Sequence, residues 1–116
     1  MITEDYVSFE TAKLLREKGF NIYGYASIKV FGGNTYEVNG EWITPKEDTI
    51  IPTLQMAMKW LRKVHNLHIE VHYNTFWDYY QYTIFYYDRK IESDMAYHSF
   101  ENAAETAIKY CLKKLI

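Results

Sequence analysis

His68, Glu70 and His72 stand at i, i+2 and i+4 in the second half of the chain. On a strand, where successive side chains alternate, all three project from one face. Two imidazoles and a carboxylate are competent ligands for zinc or iron, and His65 or His98 could approach them. Strand geometry works against that use. At a rise of about 3.3 Å per residue the outer histidines are about 13 Å apart at the backbone, too far to converge. A solvated polar strand face is the favoured reading, with no metal or cofactor expected; a metal-dependent enzyme built on these residues is the outsider.

Other catalytic signals are thin. The chain has no glycine-rich phosphate loop, no nucleophile elbow and no His-Glu-x-x-His helix, and Gly32-Gly33 closes a hairpin with no helix behind it. Asp78, Asp88 and Asp94 fall in turns, where a carboxylate usually bonds its own backbone. Cys111 is the only cysteine, so neither an internal disulfide nor a thiolate cluster can form. It lies on an apolar helical stripe and reads as an inert core thiol. A non-enzymatic protein is expected.

Twelve Tyr, six Phe and three Trp make 18% of the chain aromatic, more than a core of this size needs. Period-two alternation turns Tyr36, Trp42, Tyr73, Tyr80, Tyr82 and Tyr86 inward. It leaves Tyr23, Tyr25, His68, His72, Tyr79, Gln81, Thr83 and Phe85 on the opposite face, with Trp77 nearby. Rigid rings with polar tips bury much area at low entropy cost, so such a face suits a protein partner or a second copy. It also suits unpaired bases or sugar rings. The plainer alternative is that tyrosine is a good strand former packed against its cross-strand neighbours.

The elements that would position these residues are marked by recurring helix starts. Ser8-Phe9-Glu10-Thr11-Ala12, Thr53-Leu54-Gln55-Met56-Ala57 and Ser99-Phe100-Glu101-Asn102-Ala103 share one pattern at spacings of 45 and 46 residues. Each opens on a hydroxyl able to accept from a free N–H of the first turn. The apolar stripes that follow are Phe9, Ala12 and Leu15; then Leu54, Ala57, Met58, Leu61 and Val64; then Phe100, Ala103, Ala104, Ala107, Ile108, Cys111 and Leu115. Gly19 and Asn66 are placed to end the first two helices. Between them the period changes to two. Ile22 to Val30 and Tyr36 to Trp42 form a hairpin about Gly32-Gly33-Asn34, and Leu67 to Tyr73 with Tyr79 to Tyr87 form a second. Thr44 to Pro52 reads as a loop, and Met95 to Tyr97 as a short extended piece.

The expected fold is therefore α+β, a two-layer sandwich in the order α-ββ-α-ββ-α, with a four-stranded, mainly antiparallel sheet and three helices on one face. One domain spans 1-116, built of two similar helix-hairpin units, 8-52 and 53-98, and a final helix, 99-116. At 116 residues and 13.9 kDa a single core is expected. No apolar run reaches the roughly 18–20 residues of a membrane span, and the acidic start is unlike a secretory signal, so a soluble cytoplasmic protein is expected.

Charge is uneven although its sum is only -2. The helices carry nine basic residues against four acidic ones, and the remainder four against eleven. Lys59, Arg62, Lys63, Lys109 and Lys113 could meet phosphates, which makes nucleic acid the alternative partner. The local explanation is that cations favour the negative ends of helices.

The segment Thr53-Leu54-Gln55-Met56-Ala57-Met58-Lys59-Trp60-Leu61-Arg62-Lys63-Val64-His65-Asn66-Leu67-His68-Ile69 resembles a set of small proteins of Bacteroides-group gut bacteria and their phages and mobile elements. Ile2 to Glu10 and Ala107 to Leu112 look like the same group. That family carries no assigned activity, cofactor or catalytic residue. The resemblance implies a small accessory or interaction protein, which agrees with a function in non-covalent recognition.

Overall fold

The computed structural model describes residues 5–20, 28–31, 35–38, 41–43 and 51–116. The elements are α1 (Phe9–Glu17), β1 (Ile28–Phe31), β2 (Thr35–Val38), β3 (Glu41–Ile43), α2 (Leu54–His65), β4 (Leu67–Asn74), β5 (Tyr79–Tyr86), β6 (Arg89–Glu92) and α3 (Phe100–Tyr110). A π-helical turn, Cys111–Leu115, continues α3, and the Ile116 N–H donates to the Cys111 carbonyl at 3.1 Å. Among the described residues no helix is long and apolar enough to cross a membrane.

All three helices start on their hydroxyl caps. Ser8 Oγ accepts from the Thr11 N–H at 3.2 Å, Thr53 Oγ1 from Met56 at 3.1 Å and Ser99 Oγ from Asn102 at 3.1 Å. The first two helices end in left-handed residues, Gly19 at φ 95° and Asn66 at φ 55°. Beyond Gly19 the Phe20 N–H returns to the Leu15 carbonyl at 2.9 Å, and the Phe20 ring meets Trp60 edge-on at 5.5 Å. The helix stop thereby joins α1 to α2.

The expected single four-stranded sheet is not what forms, although the α+β class holds. Two three-stranded antiparallel sheets, β1-β2-β3 and β4-β5-β6, stand in its place. Each expected hairpin gains a third strand across a two-residue connection. Val38 pairs with Glu41, so Asn39-Gly40 divides what reads as one strand; Tyr86 pairs with Arg89 across Tyr87-Asp88. Tyr23, Tyr25 and the Gly32-Gly33-Asn34 turn lie outside the described residues, as do the side chains of Tyr36 and Trp42.

The roof also differs from three helices laid on one sheet. α2 packs on β4 and α3 on both β4 and β5, whereas α1 packs on α3 and the π-helical turn. Register and burial agree on which face is covered. Leu67 opposite Tyr86, Ile69 opposite Ile84, Val71 opposite Tyr82 and Tyr73 opposite Tyr80 point toward the helices, and Ile91 joins them opposite Ile84. Leu67 and Ile84 are fully buried there against Leu15, Leu61, Ile108 and Leu112. Two expected stripe members lie outside the core: Phe9 and Val64, near opposite ends of their helices, are exposed.

Glu105 fastens α1 to α3. Its Oε1 accepts from the Ser8 N–H at 2.9 Å and from the buried Thr11 hydroxyl at 2.6 Å. The chain before α1 is pinned to the start of α2: the Val7 N–H donates to the Pro52 carbonyl at 3.0 Å and the Leu54 N–H to the Asp5 carbonyl at 2.9 Å. Of the expected extended piece Met95 to Tyr97 only Tyr97 pairs, in an isolated bridge where it and Tyr80 exchange two backbone bonds of 2.8 Å, while Met95 lies in a bend.

The packing can be tested at one buried and one half-buried side chain. Ile108→Ala empties a fully buried site, and chemical denaturation should show a loss of about 2–5 kcal/mol; a loss under about 1 would contradict the placement of α3. His65 lies edge-on to Trp60 at 4.7 Å with its Nε2 buried and unbonded, and burial holds its pKa below the usual histidine value. The unfolded chain takes up a proton below about pH 6.5 where the folded one resists, so stability is lost as pH falls through that region. Melting temperature should drop between pH 7 and 5.5 in the wild type and drop less in His65→Phe; equal slopes would refute this assignment.

Candidate partner-binding surface

The face of the β4-β5-β6 sheet turned away from the helices carries His68, Glu70 and His72 on β4, Tyr79, Gln81, Thr83 and Phe85 on β5, and Lys90 and Glu92 on β6. The β4 and β5 members are those that alternation along the sequence assigns to one face. The character of the surface is different from a ring-rich platform, because the phenols of Tyr73, Tyr80, Tyr82 and Tyr86 take the helix side. Tyr79 and Gln81 are half-buried and Thr83 is buried. What remains outward is mostly polar, with Tyr79 and Phe85 separated by Gln81 and Thr83.

Across the middle of this face, His72 Nε2 lies 3.1 Å from Thr83 Oγ1. A shallow pocket of about 110 Å³ opens beside them, lined also by Gln81, Glu92 and Ser93. The ring of His68 turns the other way, with Nε2 at 2.9 Å from Asn66 Oδ1. The two histidines thus serve different partners. Among the described residues no three His, Cys, Asp or Glu side chains gather as a metal would require.

The ring-rich surface lies at the β4–β5 turn. Phe76 is 82% exposed, Trp77 65% and Tyr73 46%. They are nevertheless held in place. Asn74 Oδ1 accepts from the Phe76 N–H at 3.0 Å and the Trp77 N–H at 3.1 Å, an Asx turn that fixes the backbone beneath both rings. The two rings meet edge-on at 4.7 Å. The Tyr73 hydroxyl donates to Asp78 Oδ1 at 2.5 Å, which holds the phenol pKa above its ordinary value, and the Tyr73 ring lies 5.0 Å from that of Tyr80. Met95, in the segment returning to Tyr97, is also exposed.

Of these residues only Trp77 is expected from the sequence to lie near an exposed aromatic face; Tyr73 is expected inward, and Phe76 is not singled out. A signal does exist in Asn74-Thr75-Phe76-Trp77-Asp78, where two large rings sit between turn-forming residues and have no strand to bury them. The surroundings are acidic. Neither 67–88 nor 91–99 contains a lysine or arginine, while both contain carboxylates, Asp78 and Asp94 among them.

The basic candidates divide. Lys59, Arg62 and Lys63 are exposed on α2. Lys109 and Lys113 are engaged by Glu10 at 3.2 and 3.3 Å, and these two ammonium groups hold the Glu10 carboxyl below its usual range. Two of the five candidate cations therefore share a single carboxylate, which offsets half of their charge. Cys111 is fully buried, and desolvation pushes its thiol up to about 12.

Compared with family models, curated proteins and solved structures, the chain matches none.

With its thiolate so disfavoured, Cys111 should react with an aromatic disulfide reagent at pH 8 only as fast as the protein unfolds. Labelling at the rate of a free cysteine, in protein that is otherwise native by circular dichroism, would contradict this placement.

Proposed function

We propose that the protein is a cytoplasmic, non-enzymatic interaction module that binds a protein partner through the aromatic β4–β5 turn. The observation that carries this reading is the combination of exposure and order at Phe76 and Trp77. Large rings left in water forgo burial worth about 25 cal/mol per Å², and fixing them on a hydrogen-bonded turn lowers the entropy lost when a partner covers them. Tryptophan and tyrosine are also the side chains that most often dominate binding energy. The carboxylates of Asp78 and Asp94, with no lysine or arginine in their segments, favour a partner with a basic surface around an apolar pocket. The single buried cysteine suits a reducing compartment.

Nucleic acid is less well supported. A polyanion would be repelled at the acidic turn, and the helical cations include two already paired with Glu10.

The test is affinity capture from the source cell with the tagged full chain and with Phe76→Ser/Trp77→Ser, followed by calorimetry on the purified partner. A partner retained by the wild type should be lost by the double variant at unchanged melting temperature, and Trp77→Ala alone should weaken binding by about 30-fold or more. Equal retention by both proteins would overturn the proposal, as would a partner whose affinity depends on Lys59 and Lys63 instead.

A further inference from the structure

We propose that the protein forms a two-fold dimer by antiparallel pairing of β4 with β4 of a second copy, joining two three-stranded sheets into one of six strands. This lies beyond the partner-binding reading and does not depend on it.

β4 is an edge strand of eight residues, paired on one side with β5 in unbroken register from Leu67–Tyr86 to Asn74–Tyr79. Alternate residues of such a strand turn their N–H and C=O groups away from the neighbour. Among the described residues no other backbone segment bonds to residues 67–74. Long, straight, unpaired edges recruit further strands, and proteins that stay monomeric blunt them with lysine, proline, bulges or shortness. The other side of this sheet has such devices. β6 is four residues long, begins Arg89-Lys90 and gives way to an irregular segment, with Ser93 and Tyr97 completing the bonds to β5. β4 has none of them: Leu67-His68-Ile69-Glu70-Val71-His72-Tyr73-Asn74 contains no lysine, arginine, proline or glycine.

The occupant is chosen by self-complementarity. With the two-fold axis through Val71, Glu70 of each copy faces His72 of the other, Ile69 faces Tyr73, His68 faces Asn74 and Val71 faces itself. Carboxylate meets imidazole twice, and apolar residues meet apolar residues. This register also keeps the helix-covered faces of both sheets on the same side. An axis through Glu70 would set two carboxylates against each other. Ile69 and Val71 are on the helix-covered face yet remain half-exposed, so the roof stops short of the edge and leaves apolar surface for the second copy to cover.

The experiment is sedimentation equilibrium of the full chain and of charge variants at β4. The wild type should show twice 13.9 kDa, Glu70→Lys should halve that mass, and Glu70→Lys/His72→Glu should restore it, because the swapped pair is again complementary in this register. Val71→Cys should oxidise to a covalent dimer, as the residues on the axis face each other at cross-strand distance, whereas Lys90→Cys on the guarded edge should not. Phe76→Ser/Trp77→Ser should leave the mass at the dimer value, which separates this proposal from the partner-binding one. A wild-type monomer up to high micromolar concentration would overturn the proposal. So would a dimer indifferent to Glu70→Lys, or a monomer whose β4 edge is covered by a different protein.

Discussion

The rest of the fold is arranged about the buried, alanine-rich face of α3, a helix that packs on β4 and β5 as well as on α1 and α2. Ala103, Ala104 and Ala107 are fully buried, as are Ile108 and Cys111 further along. Small side chains let the helix backbone approach closely, and the longer Ile108 and Leu112 then fill the space against Leu67 and Ile84. Because α3 also supports α2 on one flank and α1 on another, its position fixes theirs. The Glu105 carboxylate completes the arrangement by holding the first turn of α1 through Ser8 and Thr11. A larger residue on this face would lift the roof from the sheet and loosen each of these contacts together.

With the interior settled in this way, the surface features sort by where the roof ends. Over the middle of β5 the sheet is covered and its tyrosines are consumed by packing: Tyr82 is buried, and desolvation pushes its hydroxyl up to about 12. Toward the β4–β5 turn the helices give out, so Tyr73 is half in water and its hydroxyl bonds Asp78 instead of a helix. Beyond it the exposed rings of Phe76 and Trp77 meet edge-on. At the lateral margin the same shortfall leaves Ile69 and Val71 incompletely covered. Both proposed contact regions are thus places where a roof sized by α3 does not reach the limits of the sheet beneath it.

The legible parts of the fold are those encoded by local physics. Hydroxyl caps at Ser8, Thr53 and Ser99 act within three residues, and the alternation in β4 and β5 decides which face each side chain takes. The third strands are harder to read. Asn39-Gly40 is a strong hairpin signature, yet Thr35 to Trp42 also satisfies the alternation of one longer strand. Tyr87-Asp88 carries no such signature: Tyr87 takes φ 55°, which a bulky side chain rarely adopts, and β6 has one apolar residue to advertise it. The site is legible by face and not by character, since alternation locates His68, Glu70 and His72 but says nothing of how far the helices extend. Rings in a turn escape a reading that looks for rings on strands.

The bonds between Asp5–Val7 and Pro52–Leu54 have a consequence for changes in the length of this chain. Phe20 and Ile51 both pack against the same core, so the segment from 21 to 50 departs from and returns to one anchored neighbourhood. The entropy of closing such an excursion rises slowly with its span, about 0.6 kcal/mol for each doubling. Changes of length between 20 and 51 therefore alter the closure entropy only slightly, and the clasp of Asp5–Val7 with Pro52–Leu54 holds the two flanks of that segment in place.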